Sequence, residues 1–237
     1  MKRYNRRSSF LTLRQVLKGI KLGITNKTTR APRLPITPHN LLVIRNNLYK
    51  FIKHKHDGHM IWCASTMAYY GFLRVSEYTN PHPNKYKKAS RTLTAADVQK
   101  DGDIIQIQIK QSKTDTAKHG TSIQIGSNYT KICPVKAFIG YTKLRGLSDG
   151  PFFRWHNGRF LTPVDMNKIL KQILENDKLG VYSSLSFRIG AASAAAASGY
   201  PHYVIQQIGR WSSDCYLKYI RISRNLAKQV SHSLAHA

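Results

Sequence analysis

The alternation of apolar and polar positions predicts helices along most of the chain and strands in one region. Phe10 to Leu22 carries apolar residues at 10, 13, 16, 17 and 20, the spacing of one helical face. One amphipathic helix cannot bury that face alone, so residues 1–24 are expected to be the last helix of a larger N-terminal domain. Thr25 to Pro35 is polar and basic, with two prolines and no periodicity, and predicts a linker over 25–36. Thr37 then offers an N-cap and Pro38 suits the first helical position, while Leu41, Ile44, Leu48, Phe51 and Ile52 mark one buried face. Met60 to Leu73 holds no charge but is shorter than the ~18 residues of a membrane span, so a buried helix is expected, running to near Tyr78.

Beyond it, Pro81 to Arg91 is a loop containing Lys85, Lys87, Lys88 and Arg91. Ile105, Ile107 and Ile109 alternate with Gln106 and Gln108, and Ile123 and Ile125 repeat the pattern after the polar Thr114 to Gly120, which predicts a hairpin. Helices follow at Pro134 to Arg145 and from Thr162-Pro163-Val164-Asp165 into Ile169, Leu170, Ile173 and Leu174. Between these two, Asn157-Gly158 is the pair that favours a two-residue turn. Shorter helices are expected over Phe187–Ser198, Pro201–Ile208 and Asp214–Arg221, with a weak one after Ser223. No internal repeat is present. The pattern is α+β, mostly helical with a small sheet.

Charge narrows the function. The 237 residues hold 38 Lys and Arg against 11 Asp and Glu, a formal charge of +27. Such an excess repels itself unless an anion shares the surface, which points to nucleic acid or an anionic membrane. Fourteen of the 38 basic residues precede Asp57, the first acid in the chain. That acid-free start also fits a mitochondrial transit peptide, whereas Arg14, Lys18 and Lys21 interrupt every apolar run that would serve a secretory signal. Cys63, Cys133 and Cys215 are far apart and odd in number, as expected for a reducing compartment without disulfides. His54, His56 and His59, like His232 and His236, lack partners at zinc-site spacing, so solvated histidines and no metal are expected.

Several residues carry possible chemistry. Arg74 is followed at helical spacing by Glu77, which either satisfies a helix-end arginine or orients it to hold a phosphate. Arg188 opens a helix of small residues, Ile189-Gly190-Ala191 onward, able to approach another backbone closely. A cation at a helix start is opposed by the macrodipole unless an anion binds there; a frayed surface arginine is the equal alternative. Lys113 shares the strand parity of Ile105, Ile107 and Ile109, yet most lysines beside a turn are merely solvated. Tyr219 closes Gly209-Arg-Trp-Ser-Ser-Asp-Cys-Tyr-Leu-Lys-Tyr219-Ile-Arg221, and a tyrosine is a poor nucleophile unless cations favour its phenolate.

Taken in order, Gly71-Phe-Leu-Arg-Val-Ser-Glu77, Ser112-Lys-Thr-Asp115, Ser186-Phe-Arg-Ile-Gly-Ala-Ala192, Gly209-Arg-Trp-Ser-Ser and Tyr219-Ile-Arg221 resemble the tyrosine recombinase (phage integrase) superfamily. The wording of the last two is most similar to recombinases of eukaryotic crypton and DIRS-type mobile elements. The resemblance spans about Arg33 to Ser223. It implies the fold of a tyrosine recombinase catalytic domain over 37–223, with 224–237 a tail or exchanged helix. It implies that Tyr219 attacks a phosphodiester of double-stranded DNA to give a 3′-phosphotyrosyl link, with Tyr216 a weaker rival. Arg74 and Arg188 would neutralise the phosphate oxygens, Glu77 supporting; Lys113 would protonate the leaving oxygen, and Trp211 would pack on the phosphate. Lys85, Lys87, Lys88, Arg91 and Arg210 would contact DNA. No cofactor is implied; a homotetramer on paired sites and nuclear residence are.

Two departures from the family pattern set an alternative beside this. Leu185 stands where relatives carry a histidine three residues before the second arginine. Acid–base groups contribute ~100- to 10,000-fold in rate, so slow chemistry or none is expected, with His202 a distant substitute. In addition, relatives carry a whole helical core-binding domain before the catalytic one, and only about one helix precedes the linker here. The alternative is a catalytically inactive DNA-binding protein derived from a mobile element.

Overall fold

The computed structural model describes residues 33–87, 91–110, 120–174, 181–222 and 224–236. The helix expected over Phe10 to Leu22, most of the linker, Lys88 and Lys113 lie outside them. A compact unit starts at Arg33. There the backbone bridges Val181, Leu34 N–H donates to Val181 O at 3.1 Å, and Ile36 N–H donates to Ser186 O at 3.0 Å.

Helix α1 (Pro38–Phe51) begins where the sequence places it. Thr37 Oγ1 accepts from the Asn40 amide at 3.2 Å and Asn40 Oδ1 accepts from the Thr37 amide at 2.9 Å, a reciprocal cap. Leu41, Ile44 and Leu48 are buried, but Phe51 is the last helical residue and is exposed. Ile52 reaches the core from extended backbone instead. Helix α2 (Lys55–Tyr70) is buried on most of its circumference and packs against α1, α4 (Pro134–Arg145) and α6 (Leu185–Ala197), as a central helix should. It stops at Gly71. A separate turn, α3 (Val75–Tyr78), follows, with Arg74 as its N-cap. The single helix expected to run to Tyr78 is therefore two, and the break between them shapes the site.

Ile104–Ile109 and Thr121–Gly126 pair antiparallel as β2 and β3, with Ile105 opposite Ile125 and Ile107 opposite Ile123. Ile105, Ile107 and Ile109 face the core. A third strand, β1 (Val98–Asp101), pairs with β2. Only Val98 of its four residues is buried, so it leaves no alternation for a sequence reading to find. Gly158, at φ 83°, closes the turn, but Trp155 N–H donates to Arg159 O at 2.7 Å and Gly158 N–H to Trp155 O at 2.9 Å, so the loop has three residues, 156–158, rather than the two expected. Helix α5 (Pro163–Leu174) starts at a Thr162–Asp165 cap and buries Ile169, Leu170, Ile173 and Leu174 against α1. Helix α7 (His202–Gly209) packs on α6, a 3₁₀ turn spans Asp214–Lys218, and α8 (Arg224–Ala235) ends the described chain. The fold is mostly helical with one small antiparallel sheet.

Candidate active site

Two helix ends converge on one arginine. After α2, the amides of Phe72 and Leu73 donate back to Tyr69 O (3.2 Å) and Ala68 O (3.1 Å). This is the helix-ending arrangement whose left-handed position is usually glycine. Here Phe72 occupies it, at φ 48°. After α7 the same arrangement recurs: Arg210 sits at φ 55°, and the Arg210 and Trp211 amides donate to Gln207 O (3.0 Å) and Gln206 O (3.0 Å). A side chain in this conformation costs ~1–2 kcal/mol. What the strain positions is the pair of carbonyls that receive Arg188: its Nη1 donates to Phe72 O and its Nη2 to Gly209 O.

Arg188 is 1% exposed. Helix α6 holds it there because Gly190 lies directly against the Ile36 carbonyl; a Cβ on Gly190 would come within 1.8 Å of that oxygen. The close backbone approach expected of this small-residue helix is thus made to Ile36. Burial, with the Arg74 and Arg210 cations beside it, pushes the Arg188 guanidinium down to about 9. Its Nε and that of Arg210 are buried and find no hydrogen-bond acceptor among the described residues. Buried donors without acceptors cost ~1–3 kcal/mol each, a cost that an anion's oxygens would relieve.

Glu77 is the carboxylate at the centre of the group, 1% exposed. Its Oε1 takes Arg74 Nη1 at 3.0 Å; its Oε2 takes the Arg74 amide at 2.8 Å and Arg210 Nη2 at 2.8 Å. Arg74 Nη2 in turn donates to Arg210 O at 3.2 Å. Arg210, read from the sequence as a DNA contact, has 6% of its side chain exposed and sits beside Glu77. It also donates to Gly71 O and Ile208 O, both at 3.2 Å. The sequence reading missed this because Arg210 and Glu77 lie on separate motifs that only the fold brings together. Two guanidinium groups, those of Arg74 and Arg210, therefore share the Glu77 carboxylate, and that of Arg188 lies beside them on backbone carbonyls.

Two aromatic rings complete the site. The Arg188 guanidinium lies 4.1 Å over the Trp211 ring and 5.8 Å from that of Tyr219, and these rings are 5.2 Å apart. Trp211 is seated by Gly209, where a Cβ would come within 1.7 Å of the indole. Tyr219 follows the 3₁₀ turn and is partly exposed; its carbonyl accepts from Ser193 Oγ at 3.1 Å, and that hydroxyl accepts from the Arg221 amide at 2.9 Å. Tyr216, the rival, is 5% exposed beneath Trp211. Arg74, Glu77, Arg188, Trp211 and Tyr219 are thus brought together. Leu185 is half-buried at the first position of α6. His202 is exposed, its ring 5.9 Å from that of Tyr216. Lys85, Lys87 and Arg91 are exposed in their loop, which is pinned where Asn80 Nδ2 donates to Lys85 O at 2.8 Å.

The histidines near residue 56 are not simply solvated. His56 Nδ1 lies 3.0 Å from Asp57 Oδ1 and His156 Nδ1 2.7 Å from Asp57 Oδ2, with Asp57 buried at the start of α2. Burial would raise the Asp57 carboxyl, but the two histidines hold it below its ordinary value. Sequence distance hid this contact, because His156 is remote from Asp57 in the chain.

No family model matches the sequence, and no curated protein does. Solved structures do match. The XerH site-specific recombinase bound to difH in a post-cleavage complex superposes with a TM-score of 0.61 at 12% identity, over 86% of this chain and 53% of that one. XerA recombinase gives 0.61 at 13% identity, over 87% of this chain and 64% of the other. The Tn1549 transposon integrase in complex with transposon right end DNA gives 0.56 at 15% identity, over 88% and 68%. The fold is that of tyrosine recombinase catalytic domains. The chain spans about half the length of the XerH protein it matches.

Proposed function

We propose that this chain is the catalytic part of a site-specific DNA recombinase or integrase that cleaves and rejoins double-stranded DNA through Tyr219. The observation that carries the reading is the buried excess of guanidinium over carboxylate, three against one, flanked by the Trp211 and Tyr219 rings. A phosphodiester would supply the missing negative charge. Charge developing on its non-bridging oxygens would meet Arg74 and Arg188 already in place, which is the economical way to stabilise phosphoryl transfer. The Tyr219 oxygen bonds to phosphorus as the bond to the 5′ oxygen breaks. The leaving oxygen takes a proton, from Lys113 in this reading, and the phenol's proton passes to water because Leu185 cannot accept it. Lys85, Lys87, Lys88 and Arg91 would grip the flanking backbone, making binding salt-dependent. Affinity to crypton and DIRS-type elements, assembly as a tetramer and nuclear residence belong to the same proposal and rest on the motif wording and the basic composition.

A nicked DNA substrate, from which the 5′-hydroxyl strand diffuses away, tests this. The chain is expected to accumulate a denaturant-resistant adduct that Tyr219→Phe abolishes; an adduct surviving that change assigns the nucleophile wrongly. Leu185 favours a second reading, a DNA-binding protein without turnover. There the wild type gives no adduct and Leu185→His restores one.

A further inference from the structure

We propose that His54, Asp57 and His156 form a binding site for one divalent transition-metal ion, separate from the arginine cluster. One nitrogen of each imidazole and one carboxylate oxygen lie within 4.8 Å of one another. Ligands at ~2.0–2.2 Å from a tetrahedral ion are about 3.4 Å apart, so closing the set needs a movement of up to about 1.4 Å. Both histidines are exposed, so their side chains can turn at the surface, and loading would exchange the His156 Nδ1–Asp57 Oδ2 contact at 2.7 Å for bonds to the ion, while Asp57 is fixed in the interior. His54 and Asp57 come from the entry into α2, and His156 comes from the turn that ends at Arg159.

The surroundings suit loading. The His54 and His156 rings are stacked at 3.9 Å with 15° between their planes; an imidazole lone pair lies in its ring plane, so taking up one ion would turn the rings out of that stack. His56 Nδ1 lies 3.0 Å from Asp57 Oδ1, and the His156 amide donates to the same oxygen at 2.7 Å. These are the outer contacts that orient a ligating carboxylate. Cavities of about 400 and 560 Å³ both reach His54 and His156, leaving room for an ion's remaining water ligands. Two imidazoles and one carboxylate select zinc, cobalt or nickel over magnesium or calcium. The neighbouring Lys53, Lys55, Arg159 and Lys168 oppose any cation held by charge alone, which strengthens that selection. At 1.5 Å per helical residue, Asp57 is about 21 Å along α2 from Gly71. The ion would therefore staple the start of α2 to the 155–159 turn and take no part in strand cleavage.

Calorimetric titration of the full chain with Zn²⁺, with Co²⁺ absorption as a second readout, tests the proposal. One Zn²⁺ per chain is expected. At a hundredfold excess over Kd it should raise Tm by about 5–10 °C, and Mg²⁺ should do nothing. His54→Phe keeps the ring stack and removes the nitrogen, so it should leave the metal-free Tm unchanged and weaken Zn²⁺ at least tenfold; His56→Ala should weaken it about tenfold. His232→Ala/His236→Ala removes the other close histidine pair and should change nothing. Absence of binding, or binding that survives His54→Phe and is lost with the tail pair, overturns the assignment.

Discussion

Glu77→Gln removes the one negative charge among Arg74, Arg188 and Arg210 while keeping the side chain's size. Glu77 makes ion pairs at 3.0 and 2.8 Å at 1% exposure, so solvent cannot replace what is lost. Stripping one partner from a buried ionic group costs ~3–5 kcal/mol, which for a domain of 150–250 residues is about 6–20 °C in Tm. The cost should depend on anions: inorganic phosphate should restore part of it, and sodium chloride at equal ionic strength should restore much less. The double variant Glu77→Gln/Arg210→Met should be less damaged than Glu77→Gln alone, because it also removes a stranded cation. Thermal unfolding in phosphate-free buffer, then across a phosphate titration, is the measurement. A loss below about 1 kcal/mol, or equal rescue by both salts, would refute the view that these arginines form a phosphate-accepting site.

Gly209→Ala should push the Trp211 indole from its seat and lower adduct formation on nicked DNA at least tenfold, with DNA affinity changed little; equal activity would mean that Trp211 has no part in the reaction. Cys133 gives a pH prediction. Burial alone would raise its thiol, but the Ser127 hydroxyl and the amides of Lys136, Asn128 and Tyr129 outweigh that and bring it from 9.0 to about 7. A depressed acid stabilises the fold fully above its unfolded value near 9, and that contribution is lost as pH falls through about 7. Stability should therefore rise between pH 7 and 9 in the wild type, and Cys133→Ser should flatten that slope in denaturant unfolding.

The helices were legible wherever local chemistry sets them. Thr37-Pro38 and Thr162-Pro163 carry their own caps, and the Ile105, Ile107, Ile109 alternation declares its strand. The break at Gly71-Phe72 was not legible, since a phenylalanine in a left-handed position runs against local preference and is held by partners far along the chain. The same holds for the site. Its motifs stand in the sequence one by one, but the sharing of Glu77 between Arg74 and Arg210 is a tertiary contact across 133 positions. Asp57 and His156, 99 positions apart, escaped notice for that reason too.

Ser193 has a consequence for how subunits would cooperate. Its hydroxyl ties the backbone on both sides of Ile220 to the helix that carries Arg188, so under the proposed function each polypeptide would supply both Arg188 and Tyr219 to one reaction centre. Mixing molecules that lack Arg188 with molecules that lack the Tyr219 phenol should then yield no cross-complementation, however tightly the two kinds associate on a common duplex.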